Sequence, residues 1–404
     1  MVGSIMFVDV KRNLARAFIL AALTACSDPA PVSQSDADAP DAFLDAATDA
    51  STDVGGEGGK ADATAPGKLF VFTASSDGKL RVFAVDDGTG AWTPKGNVAA
   101  GTSPSFVAMD PKTSRVFAVD ENGGNVLSFS FDPGSGALTP VGAPTGSQGA
   151  GPTHVSIDAS NKWVLVANYT AGSAAVFPIL PNGSLGAATD VKSPGANAHL
   201  AITNPGGGFA FVPCLGSNFI AQYTFDSTAG KLTPNAPATI SPPPASGPRH
   251  LAFGAGEKFA YGINETASTM STYGFNASNG KLTLLQTLST LPSNFASPNT
   301  GAEVAMNPSG AFVYGSNRGH DSIVTFAVNA TTGQLTLVGH EPTGGKTPRS
   351  FAVDPAGTFL FAANQASGTV NGFRLDPVTG KPIPFGSPAN AVPSPTFVGA
   401  WRVP

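Results

Sequence analysis

The sequence predicts an all-β fold, a seven-bladed β-propeller with four antiparallel strands per blade and closure by the C-terminal strand. A short apolar segment recurs at spacings of 48, 45, 51, 53, 47 and 47 residues, a period typical of propeller blades. Each unit holds four short runs rich in Val, Ile, Phe and Tyr, separated by turn residues, as in HVSID, NKWVLVAN and SAAVFPIL. No window shows a convincing helical stripe of apolar residues.

The two ends of the predicted propeller complete one blade. The fold begins at Gly67 with GKLFVFTAS, which matches the second strand of a unit. It ends with SPTFVGAWRV, which matches the first-strand segment SPSFVAMD. The C-terminal strand is therefore expected to supply the inner strand of the first blade. A ring closed in this way has no long free sheet edge.

One position of the repeat carries polar side chains in several blades. We call this position the slot: it is the residue directly before the aligned apolar residue of each first strand. The slot residues of blades one to seven are Phe397, Phe106, His154, His199, His250, Glu303 and Ser350. Because equivalent repeat positions occupy equivalent places, three imidazoles and a carboxylate should converge on one ring.

A second set of residues should meet the slots on the same face. In an antiparallel blade the inner strand begins where the second strand ends, so residues that follow second strands lie beside the slots. This set, with the residues directly before the slots, includes Glu121, Tyr169, Arg249, Glu265, Arg318 and Arg349. Blades three to six supply most of the His, Arg and Glu, which favours a functional pocket over a structural ion-pair network. The recurring asparagines suit turns and are interpreted as structural: Asn168, Asn264, Asn317 and Asn364.

The first 26 residues predict a targeting segment. A basic stretch ending at Arg16 precedes a short apolar run that ends in LTAC, with Cys26 as its last residue. This pattern resembles the bacterial lipoprotein signal, in which the cysteine is lipidated and becomes the mature N-terminus. An ordinary secretory signal with an incidental cysteine is the alternative. We therefore expect a location at the bacterial cell envelope, lipid-anchored and facing the periplasm or the cell surface.

Residues 27 to 66 are predicted to form a disordered, acidic linker rich in Ala and Asp. They hold nine acidic residues and one lysine, a net charge of −8, and residues 1 to 26 carry +2. Of the chain's −5, the propeller over residues 67 to 404 thus carries +1, which gives no indication of a nucleic-acid partner. With Cys26 lipidated, Cys214 has no disulfide partner, and no Cys/His spacing is typical of zinc. We expect a monomer without metal or cofactor.

Several segments carry a family resemblance. GPTHVSID, GPRHLAF, FVYGSNRGHDSIVTF and TPRSFAVDPAGTFLFAANQ are similar to the seven-bladed lactonase family, which includes bacterial 6-phosphogluconolactonase and the fungal carboxymuconate-cyclising enzyme. The resemblance covers about residues 67 to 404 and implies metal-free hydrolysis of a sugar-type lactone, with a lactone or sugar acid as ligand. It implies a catalytic set of His199, Arg249, Glu265 and Arg318. The substrate-binding residues expected around this set are His154, His250, Glu303, Arg349 and Tyr169.

The implied set suits lactone opening. His199 would deprotonate a water near neutral pH, and Glu265 would orient its partners. Arg249 and Arg318 would hold the developing oxyanion and any carboxylate or phosphate of the substrate. The alternative is a non-catalytic propeller that binds a ligand or protein at the cell envelope. An enzyme should bring these four side chains into one pocket, whereas a binding propeller could leave them dispersed or locked in mutual ion pairs.

Two positions depart from the family pattern. Family members usually have His-Pro-His where this chain has Asn197-Ala198-His199. They usually have Pro-Asp-Leu-Gly where it has Pro213-Cys214-Leu215-Gly216. An imidazole and a carboxylate are therefore expected to be missing beside the implied base, which keeps the binding alternative open.

Overall fold

Seven antiparallel sheets make up the fold. The structure, a computed structural model, describes residues 67–390 and 392–403. Blade one contains β1 (Lys68–Ser75), β2 (Lys79–Val85), β3 (Trp92–Ala99) and, from the far end of the chain, β30 (Pro395–Val403). Blade two contains β4 (Pro104–Asp110), β5 (Arg115–Asp120), β6 (Asn125–Asp132), β7 (Ala137–Pro140) and the short β8 (Thr145–Gly146).

The next five sheets follow in chain order. Blade three contains β9 (Pro152–Ile157), β10 (Trp163–Asn168), β11 (Ser173–Pro178) and β12 (Asp190–Lys192). Blade four contains β13 (Ile202–Thr203), β14 (Phe209–Cys214), β15 (Phe219–Asp226) and β16 (Lys231–Ile240). Blade five contains β17 (Pro248–Phe253), β18 (Phe259–Asn264), β19 (Thr269–Asn276) and β20 (Lys281–Ser289), with a 3₁₀ turn at Ala255–Glu257.

Blades six and seven complete the ring. Blade six contains β21 (Thr300–Met306), β22 (Phe312–Arg318), β23 (Ser322–Val328) and β24 (Leu335–Pro342). Blade seven contains β25 (Pro348–Val353), β26 (Phe359–Asn364), β27 (Thr369–Leu375), β28 (Pro382–Pro384) and the short β29 (Ala389–Asn390). The predicted all-β propeller of seven four-stranded blades is confirmed.

The hydrophobic core lies between neighbouring blades. All six residues of β10 are buried, whereas most residues of the outermost strand β3 are exposed. Phe117 of blade two, for example, packs in one apolar cluster with Val164 of blade three. Burial on both faces explains why the second strands are near-continuous apolar runs. No helix within the described residues is long and apolar enough to cross a membrane.

The C-terminal strand closes the ring as predicted. β30 pairs antiparallel with β1, with Phe70 opposite Trp401. The Trp401 side chain is buried, and its ring centroid lies 5.9 Å from that of Phe72 and 4.7 Å from that of Phe131 in blade two. The closing strand therefore also joins blade one to blade two. Residues 1–66 lie outside the described residues, so the targeting segment, Cys26 and the linker stay predictions.

Replacing Trp401 by Ala is expected to lower the free energy of unfolding by about 3–5 kcal/mol, because it removes a buried aromatic side chain at the ring closure. Urea denaturation followed by intrinsic fluorescence and circular dichroism measures this change. Val378→Ala is the control, since Val378 is 84% exposed and its replacement should cost under about 0.5 kcal/mol. Equal midpoints for the two variants would contradict closure by the last strand.

Candidate active site

A one-residue bulge in the inner strand precedes the slot in most blades. In blade five, Pro248 faces Asn264 and His250 faces Ile263, so Arg249 is the extra residue. Equivalent shifts occur in blades one, two, three, six and seven. A bulge re-aims side chains that a regular strand would send to opposite faces. Arg249 and His250 consequently both line the same enclosed space on the propeller axis.

Three slot residues from blades four, five and six form a hydrogen-bonded chain. Nδ1 of His199 lies 3.2 Å from Nε2 of His250, and Nδ1 of His250 lies 2.7 Å from Oε1 of Glu303. The backbone N–H of Val304 donates to the same glutamate oxygen at 3.1 Å. All three side chains are buried, and Glu303, the most exposed residue of the three, retains 8% of its surface.

The other slot residues close the ring on its apolar side. The imidazole of His154 packs on Phe106 with ring centroids 4.3 Å apart, and Phe106 contacts Phe397 at 4.8 Å. His154 also lies edge-on to His250, at 5.5 Å between centroids. The Ser350 hydroxyl accepts a hydrogen bond from the backbone N–H of Val398 at 3.3 Å. The slot residues thus meet around one axis, with an apolar half and a polar half.

A polar cleft of about 190 Å³ lies next to the enclosed space of about 10 Å³. The cleft is lined by Glu121, Thr153, Tyr169, His199, Glu265, Arg318 and Arg349. Thr153, His199 and Arg349 line both spaces, so the imidazole of His199 connects them. The Tyr169 ring lies edge-on to the His199 imidazole, with 5.4 Å between the ring centroids.

One carboxylate bridges two arginines at the cleft. Oε2 of Glu265 lies 3.0 Å from Nε of Arg249 and 2.8 Å from Nη2 of Arg318. Both contacts are ion pairs, and the buried Nε–H of Arg318 has no acceptor of its own among the described residues. The buried hydroxyl of Thr153 is likewise unpaired there. Unsatisfied buried donors around one cleft are typical of a site that binds an acceptor from outside the chain.

We call the buried side chains beneath the cleft the inner layer: His154, His250 and Glu303. Burial suppresses charge on these side chains and on His199. It holds the pKa values of His154, His199 and His250 well below 6.5, and the nearby Arg249 guanidinium adds to the effect. The three imidazoles are therefore neutral at neutral pH. Burial also raises the pKa of Glu303 to about 7, although Arg249 opposes the shift. Arg249 itself has its pKa lowered to about 9 by burial and by its arginine neighbours, so it stays charged.

The structure brings together the four residues of the implied catalytic set. His199, Glu265 and Arg318 line the cleft, and Arg249 lies beside His199 in the enclosed space. Glu265 is locked between the two arginines, the feature expected of a binding propeller. Of the expected substrate-binding residues, Tyr169 and Arg349 line the cleft. The remaining three lie in the inner layer: His154, His250 and Glu303.

Glu121 and Thr153 also line the cleft, and the implied set omitted them. Their sequence positions could have indicated that they line the cleft, because Thr153 directly precedes a slot and Glu121 directly follows a second strand. Among the described residues, no group of three His, Cys, Asp or Glu side chains is placed to hold a metal ion.

The two departures from the family pattern do not face the cleft. Cys214 is fully buried in an apolar cluster, and burial raises the pKa of its thiol to about 12. It ends β14 as Asn168 ends β10, and Asn168 donates to the carbonyl of Ser147 at 3.0 Å to hold a loop. Asn197 adopts a left-handed φ of 56°, and its carbonyl accepts from Leu215 N–H. Position 214 is therefore occupied by a buried side chain in this chain, and the expectation of a carboxylate missing beside His199 stays a prediction.

This fold and site define a class: a closed propeller whose axis ends in a polar cleft built from histidine, arginine and glutamate. Within that class, the chain belongs to the seven-bladed β-propeller lactonase family, whose model, "Lactonase, 7-bladed beta-propeller", matches residues 69–400.

Known proteins similar to this chain agree with that assignment. A 6-phosphogluconolactonase of Bacillus subtilis is 31% identical over 261 residues, covering 62% of this chain and 73% of its own. The structure of a periplasmic gluconolactonase of Pseudomonas aeruginosa superposes with a TM-score of 0.77 and 30% identity, covering 84% of this chain and 100% of its own. A putative 6-phosphogluconolactonase of Bacteroides fragilis gives 0.75 and 27%, covering 84% and 99%.

The placement of Cys214 predicts that its thiol is inert in the folded protein. In residues 67–404, where Cys214 is the only cysteine, a water-soluble thiol reagent at pH 8 should give no native labelling. Stoichiometric labelling is expected after unfolding in guanidinium chloride, which is the control. Rapid native labelling would contradict the buried position and return Cys214 to the cleft.

Proposed function

We propose that this protein hydrolyses a sugar-type lactone, as the lactonases among its relatives do by name. We further propose that His199 activates the attacking water. The observation that carries the proposal is the juxtaposition of a neutral imidazole with two guanidinium groups, of which Arg318 has a buried Nε–H without an acceptor among the described residues. Lactone hydrolysis requires such a pair: a base for the water and donors for the oxygen on which negative charge develops.

His199 supplies the base. Its Nδ1 contacts His250, which leaves Nε2 as the ring nitrogen available to the cleft. Nε2 takes a proton from a water while the water oxygen forms a bond to the lactone carbonyl carbon. When the tetrahedral intermediate collapses, the bond to the ring oxygen breaks and that oxygen receives the proton from His199. The product is an open-chain hydroxy acid.

The two arginines stabilise the intermediate. The carbonyl oxygen gains a negative charge as water adds, and the guanidinium N–H groups of Arg249 and Arg318 are suited to donate hydrogen bonds to it. Glu265 holds both guanidinium groups in place through its Oε2 atom. Preorganised donors of this kind contribute more in a site that excludes water than in solution.

The cleft favours a small polyhydroxylated substrate. Its walls are mostly charged or hydroxyl-bearing side chains, including Tyr169 and Glu121. Arg349 is only loosely paired, with Nη2 3.9 Å from Oε2 of Glu121, and its side chain is 21% exposed. A carboxylate or phosphate on the substrate could engage this guanidinium.

One observation favours a second function, binding without catalysis. Glu265 already neutralises Arg249 and Arg318, so these cations are not free of protein partners. A propeller of this kind would retain a sugar acid in the cleft and turn over no lactone.

His199→Ala is expected to lower kcat by about 10²–10⁴-fold through loss of the base. Arg249→Ala is expected to lower kcat by about 10²–10³-fold through loss of an oxyanion donor. Acid release from gluconolactone and 6-phosphogluconolactone, corrected for spontaneous opening, measures both. His340→Gln is the control, because His340 is outside the cleft and bonds the Thr290 carbonyl.

Turnover in both variants equal to that of the control would remove the proposed roles. Absence of turnover in the wild type, with gluconate binding retained in calorimetry, would establish the binding function instead.

We further propose that the protein is lipid-anchored at the cell envelope through Cys26. The LTAC segment supports this location, as does the periplasmic gluconolactonase among the similar structures. Cys26→Ser should move the protein from the membrane fraction to the soluble periplasmic fraction on cell fractionation. Cys214→Ser, the matched control, should remain with the membrane. Membrane retention of both variants would contradict the lipid anchor.

A further inference from the structure

We propose that His250 and Glu303 form a proton relay behind His199, in which Glu303 holds the proton while the substrate reacts. The inference rests on the proposed role of His199 as base. It adds two positioning residues, which act through His199 and do not touch the substrate.

The relay follows an unbroken path of contacts. His199 lines the cleft, and its Nδ1 is 3.2 Å from Nε2 of His250. Nδ1 of His250 is 2.7 Å from Oε1 of Glu303, which lies in the enclosed layer. Each imidazole uses one nitrogen toward the cleft side and the other toward Glu303. This arrangement lets a proton pass through the rings without rotation of either side chain.

Two contacts set the direction of the resting chain. Nη1 of Arg249, 3.4 Å from Nε2 of His250, donates its short hydrogen bond to the carbonyl of Ala302 at 2.6 Å, so the one lone pair of Nε2 is left for His199. The N–H of Val304 donates to Oε1 of Glu303, which favours the ionised carboxylate. His250 therefore carries its proton on Nδ1 and donates to Glu303. His199 donates from Nδ1 to His250, and its Nε2 is left with a free lone pair.

The proton transfers balance with the side chains and the water described above. As Nε2 of His199 takes a proton from water, the Nδ1 proton of His199 moves to Nε2 of His250. The Nδ1 proton of His250 moves in turn to Glu303. The negative charge of Glu303 is thereby neutralised while the intermediate's oxygen becomes negative. When the ring oxygen leaves, the three transfers reverse, the ring oxygen is protonated and Glu303 is ionised again.

The electrostatics explain why a relay is needed. An imidazole whose pKa is held well below 6.5 by burial is by itself a weak base at neutral pH. The pKa of Glu303, raised by burial to about 7, is matched to a base working near neutrality. The relay gives His199 the basicity of Glu303 at a position that Glu303 cannot reach. The charged and titratable groups around the chain are His154, Arg249, Arg318 and Arg349.

The first test is the pH dependence of kcat/KM in Glu303→Gln, which retains a hydrogen-bonding side chain but cannot ionise. In the wild type, kcat/KM should rise with pH through an apparent pKa near 7, as the relay loses its stored proton. In the variant this acid limb should move below pH 6.5, because only imidazoles remain to titrate. The plateau should fall by about 10²-fold.

Two variants act as controls for this profile. Glu265→Gln removes the cleft carboxylate outside the relay and should leave the acid limb in place, whatever it does to the rate. Glu303→Asp retains an ionisable group and should restore the limb near neutral pH. A lowered plateau in Glu303→Gln with an unmoved acid limb would overturn the relay and leave Glu303 a structural role.

The second test needs neither turnover nor a variant. With ¹⁵N-labelled histidine, the nitrogen shifts of the chain's five histidines report tautomer and charge separately. In the ligand-free wild type, His199 and His250 should exchange tautomers together near pH 7 without forming imidazolium. Independent titration, or no tautomer exchange, would overturn the relay. If the exchange occurs but no lactone is hydrolysed, the relay stands and the proposed activity fails.

Discussion

The pairing of β30 with β1 is the constraint on which the site depends. It joins residues from opposite ends of the propeller, with Val71 opposite Ala400, and so converts seven sheets into a ring. Only in a closed ring do the seven inner strands begin around one axis. That geometry brings His199, His250 and Glu303 from three blades within hydrogen-bonding distance, although they lie far apart in the sequence. The chemistry of the axis is thus a consequence of how the sheet edges are removed.

The bulge that precedes the slot in six of the seven blades adds a second constraint. Because it places two adjacent side chains on the axial side, blade five contributes both Arg249 and His250. Glu265, from the end of the second strand of the same blade, then faces Arg249. One blade therefore supplies a cation beside His199, a carboxylate at the cleft that pairs with it and an imidazole for the inner layer. The separation into a polar cleft and a buried inner layer follows from this local geometry and from the apolar side of the ring at Phe106.

The repeat spacing was sufficient to predict the fold, the blade count and the closing strand, because those depend on strand pattern alone. It also placed His199, Glu265 and Arg318 on one face. The spacing could not predict how deeply each slot residue is buried. Equivalent slots place His199 at the cleft and Glu303 beneath it, because side-chain direction and the neighbouring blades decide which slot residue is covered. At position 214, where the family pattern has a carboxylate, this chain buries a cysteine in the apolar cluster between blades three and four. The catalytic and binding roles themselves stay predictions.

The stability of the fold bears on the role of Glu303. Burial raises the pKa of its carboxyl from 4.5 to about 7, so between these pH values the folded state binds more protons than the unfolded state. The contribution of this group to the free energy of unfolding therefore falls as pH rises from about 4.5 to about 7. A glutamine would still accept from Val304 N–H without this loss. Compared with glutamine, glutamate at position 303 adds a group that ionises near neutral pH. A residue that takes up and returns a proton requires this property, whereas a structural hydrogen bond does not.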